Sequence, residues 1–145
     1  MGPNQTYRLR RSFCELVPRF DAVAERFFDG VANRSPSLGR GIAACRDDAR
    51  RKLLTAVGLV VTRADRLAEL EDALLELGEG HVEYDCSPDE YAVVLEELIA
   101  AFREWSGPTW TEQLELDWSD ALDTVADLIV RVVRVRQPVV RSIAA

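Results

Sequence analysis

The chain has 145 residues, 48% of them hydrophobic, and a formal net charge of −7 at pH 7. This length and apolar content fit one domain at residues 1–145, with a core over about 7–136 and a tail at 137–145. The negative charge argues against nucleic-acid binding, because phosphate contacts need clustered positive charge. Charges recur too often for a membrane span, and three cysteines without paired metal spacing fit reduced thiols in a cytoplasmic protein.

The first third of the chain carries apolar residues at helical spacing. Ser12 and Glu15 form a Ser-x-x-Glu capping box, which predicts that a short helix begins at Ser12. Pro18 predicts a bend or a second helix start, and the following helix is predicted to end near Asn33, ahead of the next proline. The apolar face of that helix is formed by Phe20, Val23, Ala24, Phe27 and Phe28.

The next segment, residues 36–46, is rich in glycine and weakly patterned, which predicts a short turn of helix and an irregular corner. Asp47 or Asp48 is predicted to cap the helix that follows. The apolar face of this helix consists of Leu53, Leu54, Val57, Val60 and Val61.

Two long helices are predicted near the end of the chain. Ser87 followed by Pro88 predicts the start of the first, which runs to about Trp105. A capping box from Thr109 to Glu112 predicts the start of the second. No alternating strand pattern appears, so the predicted fold class is all-α.

The only histidine, His81, follows an apolar helical stripe and precedes the helix that Ser87 starts. An imidazole at this place resembles the way in which globins hold haem iron. Six positions match single-domain bacterial globins and their flavohaemoglobin and neuroglobin relatives: Leu77, Gly78, His81, Tyr84, Pro88 and Tyr91. Further similarity comes from residues 107–111 and Trp118. The resemblance implies an all-α globin fold, about six to eight helices around one haem pocket, with haem b as the cofactor and His81 as the proximal iron ligand.

On the proximal side, the resemblance places several further residues against the haem. Four residues would form an apolar floor and wall under the haem, although each could equally be a plain core residue: Leu77, Cys86, Val94 and Leu98. Tyr84 lies in the matched region, and Tyr91 corresponds to a tyrosine that partners a carboxylate on the last helix of flavohaemoglobins. Val133 stands at that carboxylate position, so packing is the expected role of Tyr91.

On the distal side, the resemblance implies a pocket without a hydrogen-bond donor. Phe28 stands where oxygen-activating bacterial globins usually have tyrosine, and Ile42 stands where the family has a phenylalanine wedge. Ala49 falls at the distal position, or Arg50 if the alignment shifts by one residue, and Leu53 lies one turn further on. Unless Arg50 swings in, the pocket should hold O2 loosely while accepting CO or NO.

The resemblance also places a basic cluster beside the pocket mouth, formed by Arg46, Arg50, Arg51 and Lys52. These cations could pair with the haem propionates. They could equally form a solvated helix face that balances Asp47 and Asp48.

Three functions are compatible with these residues. We favour a haem-binding globin that reversibly binds O2, NO or CO for storage, transfer or sensing, because the resemblance implies His81 in a pocket that is apolar on both sides. A nitric oxide dioxygenase or peroxidase-like enzyme would need an external reductase, since no phosphate-cradling glycine loop for FAD or NAD is present. Phe28 and Val133 disfavour such an enzyme. Ile42 and Ala49 favour the third function, a haem-free interaction or sensory module of the same fold.

The C-terminal segment, residues 130–141, mixes valines with arginines. It could form a homodimer contact or cover the core with arginine stems, and the second role is the expected one. No other partner protein is indicated by the sequence.

Overall fold

A computed structural model describes residues 2–66 and 88–127 of the chain. Within them the protein is helical and has no strand, so the all-α prediction is confirmed. The α-helices, in chain order, are α1 (Pro3–Leu16), α2 (Phe20–Arg34), α3 (Pro36–Ala44), α4 (Arg46–Thr62), α5 (Pro88–Ser106) and α6 (112–127). Short 3-10 turns lie at Val17–Arg19, 64–66 and Gly107–Thr109. None of the helices described is long and apolar enough to cross a membrane.

Helix α1 begins nine residues earlier than the capping box predicts, at Pro3 rather than at Ser12. A proline is favoured at the first helical position, because its missing N–H would have no partner inside the helix. Ser12 lies inside α1, is 4% exposed, and accepts a hydrogen bond from the indole Nε1 of Trp118 at 3.0 Å. The box prediction is therefore wrong, since this hydroxyl pairs with a distant helix instead of a helix end.

Helix α2 supplies much of the core. All five residues of its predicted apolar face are buried, and the helix ends at Arg34, as its predicted boundary indicates. Pro18 lies in the 3-10 turn that separates α1 from α2, which confirms the predicted bend. Helix α2 packs mainly against α3 and α5, and the buried residues around it include Leu9, Leu16, Val57, Val60, Leu98, Phe102 and Trp118.

Helix α3 occupies the segment predicted to form a short turn of helix and an irregular corner, so the short helix is confirmed and the irregular corner is wrong. Only Cys45 separates its last residue, Ala44, from the start of α4. The close approach of α3 to α2 depends on Gly39, where a Cβ atom would lie 2.7 Å from the Cβ of Ala32. The missing side chain lets the two helices touch along their backbones, and this contact orders a segment whose apolar pattern is weak.

Helix α4 begins at Arg46, and neither Asp47 nor Asp48 caps it. Both aspartates lie in its first turn, where a negative charge interacts favourably with the helix dipole. The start of α6 also differs from prediction, because Thr111, and not Thr109, accepts a hydrogen bond from the backbone N–H of Leu114 at 3.0 Å. Helix α5 spans the predicted range to within one residue.

Candidate functional site

Part of the predicted site lies outside the described residues. These positions are Leu77, His81, Tyr84 and Cys86. The structure does describe the part of the predicted site that α2, α3, α4 and α5 contribute, which comprises Phe28, Ile42, Ala49, Arg50, Lys52, Leu53, Tyr91, Val94 and Leu98.

Burial changes along α4. In its second half, Val57, Val60 and Val61 are between 3% and 5% exposed and belong to the core. In its first half, Ala49 and Leu53 are only half-buried, although they pack against the same core. The first half of α4 therefore presents apolar side chains that the described helices cover only in part.

Helix α5 shows the same change in burial. Leu98 and Phe102 are 4% and 0% exposed, whereas Tyr91 and Val94, nearer the start of the helix, are half-buried. Of the predicted site residues on α5, Leu98 is thus a core residue, and the other two lie at the margin of the core.

The half-buried parts of α4 and α5 are both attached to α2 by ion pairs. Arg34, the last residue of α2, contacts Glu96 of α5 at 2.7 Å between Nη2 and Oε2. Near the other half-buried segment, Arg46 of α4 lies 3.3 Å from Asp29 of α2. Helix α3 adds the half-buried Ile42. Three helices that adjoin α2 therefore each contribute partly covered apolar side chains.

The four predicted distal residues carry no hydrogen-bond donor in their side chains. Phe28 is 3% exposed, and its ring centroid lies 5.5 Å from that of Phe27, so it is part of the core. Ile42, Ala49 and Leu53 are half-buried and apolar. A small molecule that meets these side chains would find van der Waals contacts and no polar partner from them.

Arg50 is the nearest candidate for a distal donor, and its guanidinium pairs with carboxylates. Nη2 donates to Asp47 at 2.6 Å, and Nη1 lies 3.6 Å from Asp21 of α2. In this conformation, Arg50 is directed to an acidic pair, one member of which belongs to the opposite helix.

The other cations of the predicted basic cluster also have carboxylate partners. Asp48 lies 3.1 Å from the Nζ of Lys52 and 3.7 Å from Arg51. Arg46 pairs with Glu25 and holds the pKa of that carboxyl below its usual value, because its guanidinium donates to the charged form. Pairing with acids is the arrangement expected of a solvated face, and the propionate role of the cluster stays a prediction.

Sequence reasoning did not single out the acids that receive these arginines. Asp21, Glu25 and Asp29 recur every four residues and so share one face of α2. We call these three residues the acidic stripe. The regular spacing of the three acids is visible in the sequence, but the position of α4 was needed to show which arginines they pair with.

Over the described residues the protein is thus an all-helical domain with partly covered apolar side chains on α3, α4 and α5. The globin family model matches residues 23–129, more than half of the chain, and the chain belongs to the globin family. It is 25% identical over 131 residues to an uncharacterized globin-like protein of Aquifex aeolicus (strain VF5), a match that covers 90% of this chain and 93% of that protein. The globin fold predicted from the sequence is thereby confirmed.

Proposed function

We propose that this globin binds haem b, with His81 as the proximal iron ligand, and reversibly binds a diatomic gas for storage, transfer or sensing. O2, NO and CO are the candidate gases. Membership of the globin family supports a function of this type. The observation that carries the proposal is the partial burial of apolar side chains on α3 and on the first halves of α4 and α5.

The described side chains fit a haem group. A macrocycle that is largely apolar needs apolar walls, and Ile42, Leu53 and Val94 offer such walls on three helices. The propionates need cations or water at the edge, and Arg50 and Lys52 are half-buried and exposed cations on α4. When bound, the haem supplies the iron on which a gas can bind. The apolar side chains of the protein would exclude water from that iron and would set the polarity around it.

The apolar distal side decides which gas is held well. A hydrogen bond to bound O2 contributes about 0.5–1.5 kcal/mol, and 1.4 kcal/mol is a factor of about ten in affinity. Phe28, Ile42, Ala49 and Leu53 cannot supply one. We therefore expect weak O2 binding, with CO and NO affected less, and an external reductase to keep the iron ferrous.

A haem-free interaction module is the second candidate function. The pairing of Arg46, Arg50 and Lys52 with carboxylates favours it, because these cations are satisfied within the protein. The burial of Phe28 in the core also requires no cofactor.

The visible absorption spectrum of protein expressed with haem available separates the two functions. We expect a strong Soret band that His81→Ala abolishes or shifts, because the imidazole is the proposed axial ligand. Thr55→Ala, an exposed position on α4, is the control and should leave the band unchanged. A colourless protein that stays helical and refuses added haem would sink the gas-binding proposal in favour of the interaction module.

A further inference from the structure

The first residue of α4 is attached to α2 by charge. The Nε atom of Arg46 donates to Glu25 Oε1 at 3.2 Å, and its Nη2 atom donates to Glu25 Oε2 and to Asp29 Oδ1, the latter at 3.3 Å. The guanidinium carbon lies 5.5 Å from the centroid of the Phe28 ring, within the range of a cation–π contact. One side chain thus contacts three neighbouring residues of α2: Glu25, Phe28 and Asp29.

One turn further along α4, Arg50 extends this attachment. Its Nη1 atom lies 3.6 Å from Asp21, the remaining member of the acidic stripe. The two arginines are spaced by four residues, as are the acids. The later arginine on α4 pairs with the earliest acid on α2, so the two helices run in opposite directions along this contact. A bidentate guanidinium within a network holds its geometry better than an isolated surface pair does.

Among the described residues, the apolar attachment of this part of α4 is incomplete. The buried residues of α4 begin only at Val57, while Ala49 and Leu53 are half-buried. Cys45, the residue before α4, directs its thiol to the carbonyl oxygen of Gly41 at 3.5 Å and does not cap α4 with its side chain. Since apolar burial among the described residues is concentrated in the second half of the helix, the charged contacts contribute to the position of the first half.

We propose that Arg46 and Arg50 are positioning residues that hold the first half of α4 against the acidic stripe and so control how fast a gas passes the distal side. The control of gas passage rests on the proposed haem function, whereas the anchoring of α4 does not. Because the contacts are half-exposed, salt weakens them, since the Debye length falls from about 10 Å at 0.1 M to about 3 Å at 1 M.

Hydrogen exchange of the protein as purified, with or without bound haem, tests the anchoring. Arg46→Gln keeps a polar side chain but removes the charge and the fork, so we expect amides 49–56, which are hydrogen-bonded within the helix, to exchange about fivefold faster at low salt. The matched control is Arg51→Gln on the same helix, whose side chain is 79% exposed and contacts Asp48 at 3.7 Å. That control should match the wild type, and raising the salt to about 1 M should bring the wild type close to Arg46→Gln.

CO binding to the haem-loaded protein after flash photolysis tests the control of gas passage. We expect Arg46→Gln to change the rate severalfold and to remove most of its salt dependence, while Arg51→Gln leaves both unchanged. Adding Glu25→Gln to Arg46→Gln should have little further effect, because both substitutions break the same contact.

The outcomes separate the two proposals. Equal exchange in Arg46→Gln and Arg51→Gln would overturn the anchoring, whether or not haem binds. Faster exchange together with an unchanged CO rate would overturn the control of gas passage. A protein that binds no haem but shows faster exchange in Arg46→Gln alone would end the proposed function and the gas control, and it would leave the anchoring of α4 established.

Discussion

Buried polar side chains join α1 to α6 at the level of single residues. Asp117 is 1% exposed, and it accepts hydrogen bonds from Arg8 and from Gln113, each at 3.0 Å to Oδ1. Beside this carboxylate, the Ser12 hydroxyl accepts a hydrogen bond from the indole N–H of Trp118. A buried charge is tolerated only when it is paired and hydrogen-bonded, so these partners allow a carboxylate to lie between two helices.

Ala49 gives the clearest test of distal polarity at the residue scale. Ala49→Gln should slow O2 dissociation from the ferrous haem protein by up to about tenfold, because the amide N–H can donate to bound O2. CO dissociation should change less, since CO depends less on such a donor. Stopped-flow measurement of both dissociation rates checks this expectation.

The control for the distal test is Thr55→Gln, which places the same amide on an exposed part of α4. It should alter neither rate. If Ala49→Gln also leaves O2 dissociation unchanged, Ala49 is not the distal residue, and the alignment that places Arg50 there gains support.

At the scale of elements, the contact between α2 and α3 decides where Ile42 lies. A Cβ atom on Gly39 would meet the Cβ of Ala32 at 2.7 Å and its Cα at 2.9 Å. Neither atom can swing away as the tip of a long side chain would. The glycine therefore fixes the distance between α2 and α3, and with it the place of the predicted wedge residue.

Gly39→Ala should lower the free energy of unfolding by about 1–3 kcal/mol, the range found for overpacking, despite the better helix propensity of alanine. Gly58→Ala on α4 is the matched comparison, because its Cβ would lie 3.4 Å from the nearest atom of Phe13, an ordinary contact. That substitution should stabilise by about 0.5–1 kcal/mol. Urea unfolding of both variants checks the two signs, and stabilisation by both would show that α3 has room to move.

At the scale of the whole molecule, arginine–carboxylate pairs connect the helices of a protein whose formal net charge is −7. Besides the contacts of α4, Arg26 of α2 reaches Glu97 and Glu104 of α5 at 3.1 and 2.7 Å. The hydrogen bonds that Arg26 donates to Glu104 and Glu97 raise the pKa of its guanidinium. Pairs of this kind are lost when acid protonates the carboxylates, so the molecule should become less stable at low pH.

Glu25 allows the acid dependence to be measured at one site. Its pKa lies below its usual value of 4.5, because Arg46 donates to the carboxylate. The folded state therefore gains stability from Glu25 above about pH 4.5 and loses it as the pH falls through the lowered pKa. Glu25→Gln should cost about 0.5–1 kcal/mol at pH 7, the range of partly exposed pairs, and this difference should vanish in acid.

Urea unfolding of the wild type and of Glu25→Gln from pH 7 down to about pH 3 measures that difference. Asp123→Asn, at an exposed position inside α6 and away from the helix ends, is the control and should track the wild type throughout. A difference for Glu25→Gln that persists unchanged into acid would mean that the carboxylate contributes through its shape and not through its charge.

The fold class, the end of α2, both ends of α5 and the core face of α2 could all be predicted from the sequence. These features follow from local spacing, since residues three or four apart share one face of a helix. The resemblance carried by residues 77–91 also led to the globin family, which the family model confirms. Of the candidate site, the sequence supplied the apolar character of Phe28, Ile42 and Ala49.

The partners of the polar residues became known from the tertiary structure. Ser12 matches a capping pattern, but Trp118, 106 positions away, takes its hydroxyl, and a local pattern contains no information about that partner. Gly39 weakens the helical pattern of its segment, yet the backbone of α2 orders that segment as a helix. The arginines of α4 likewise acquire a structural role only because the acidic stripe of α2 lies opposite them. Hydrogen bonds and ion pairs depend on distance in space, which helical periodicity does not specify.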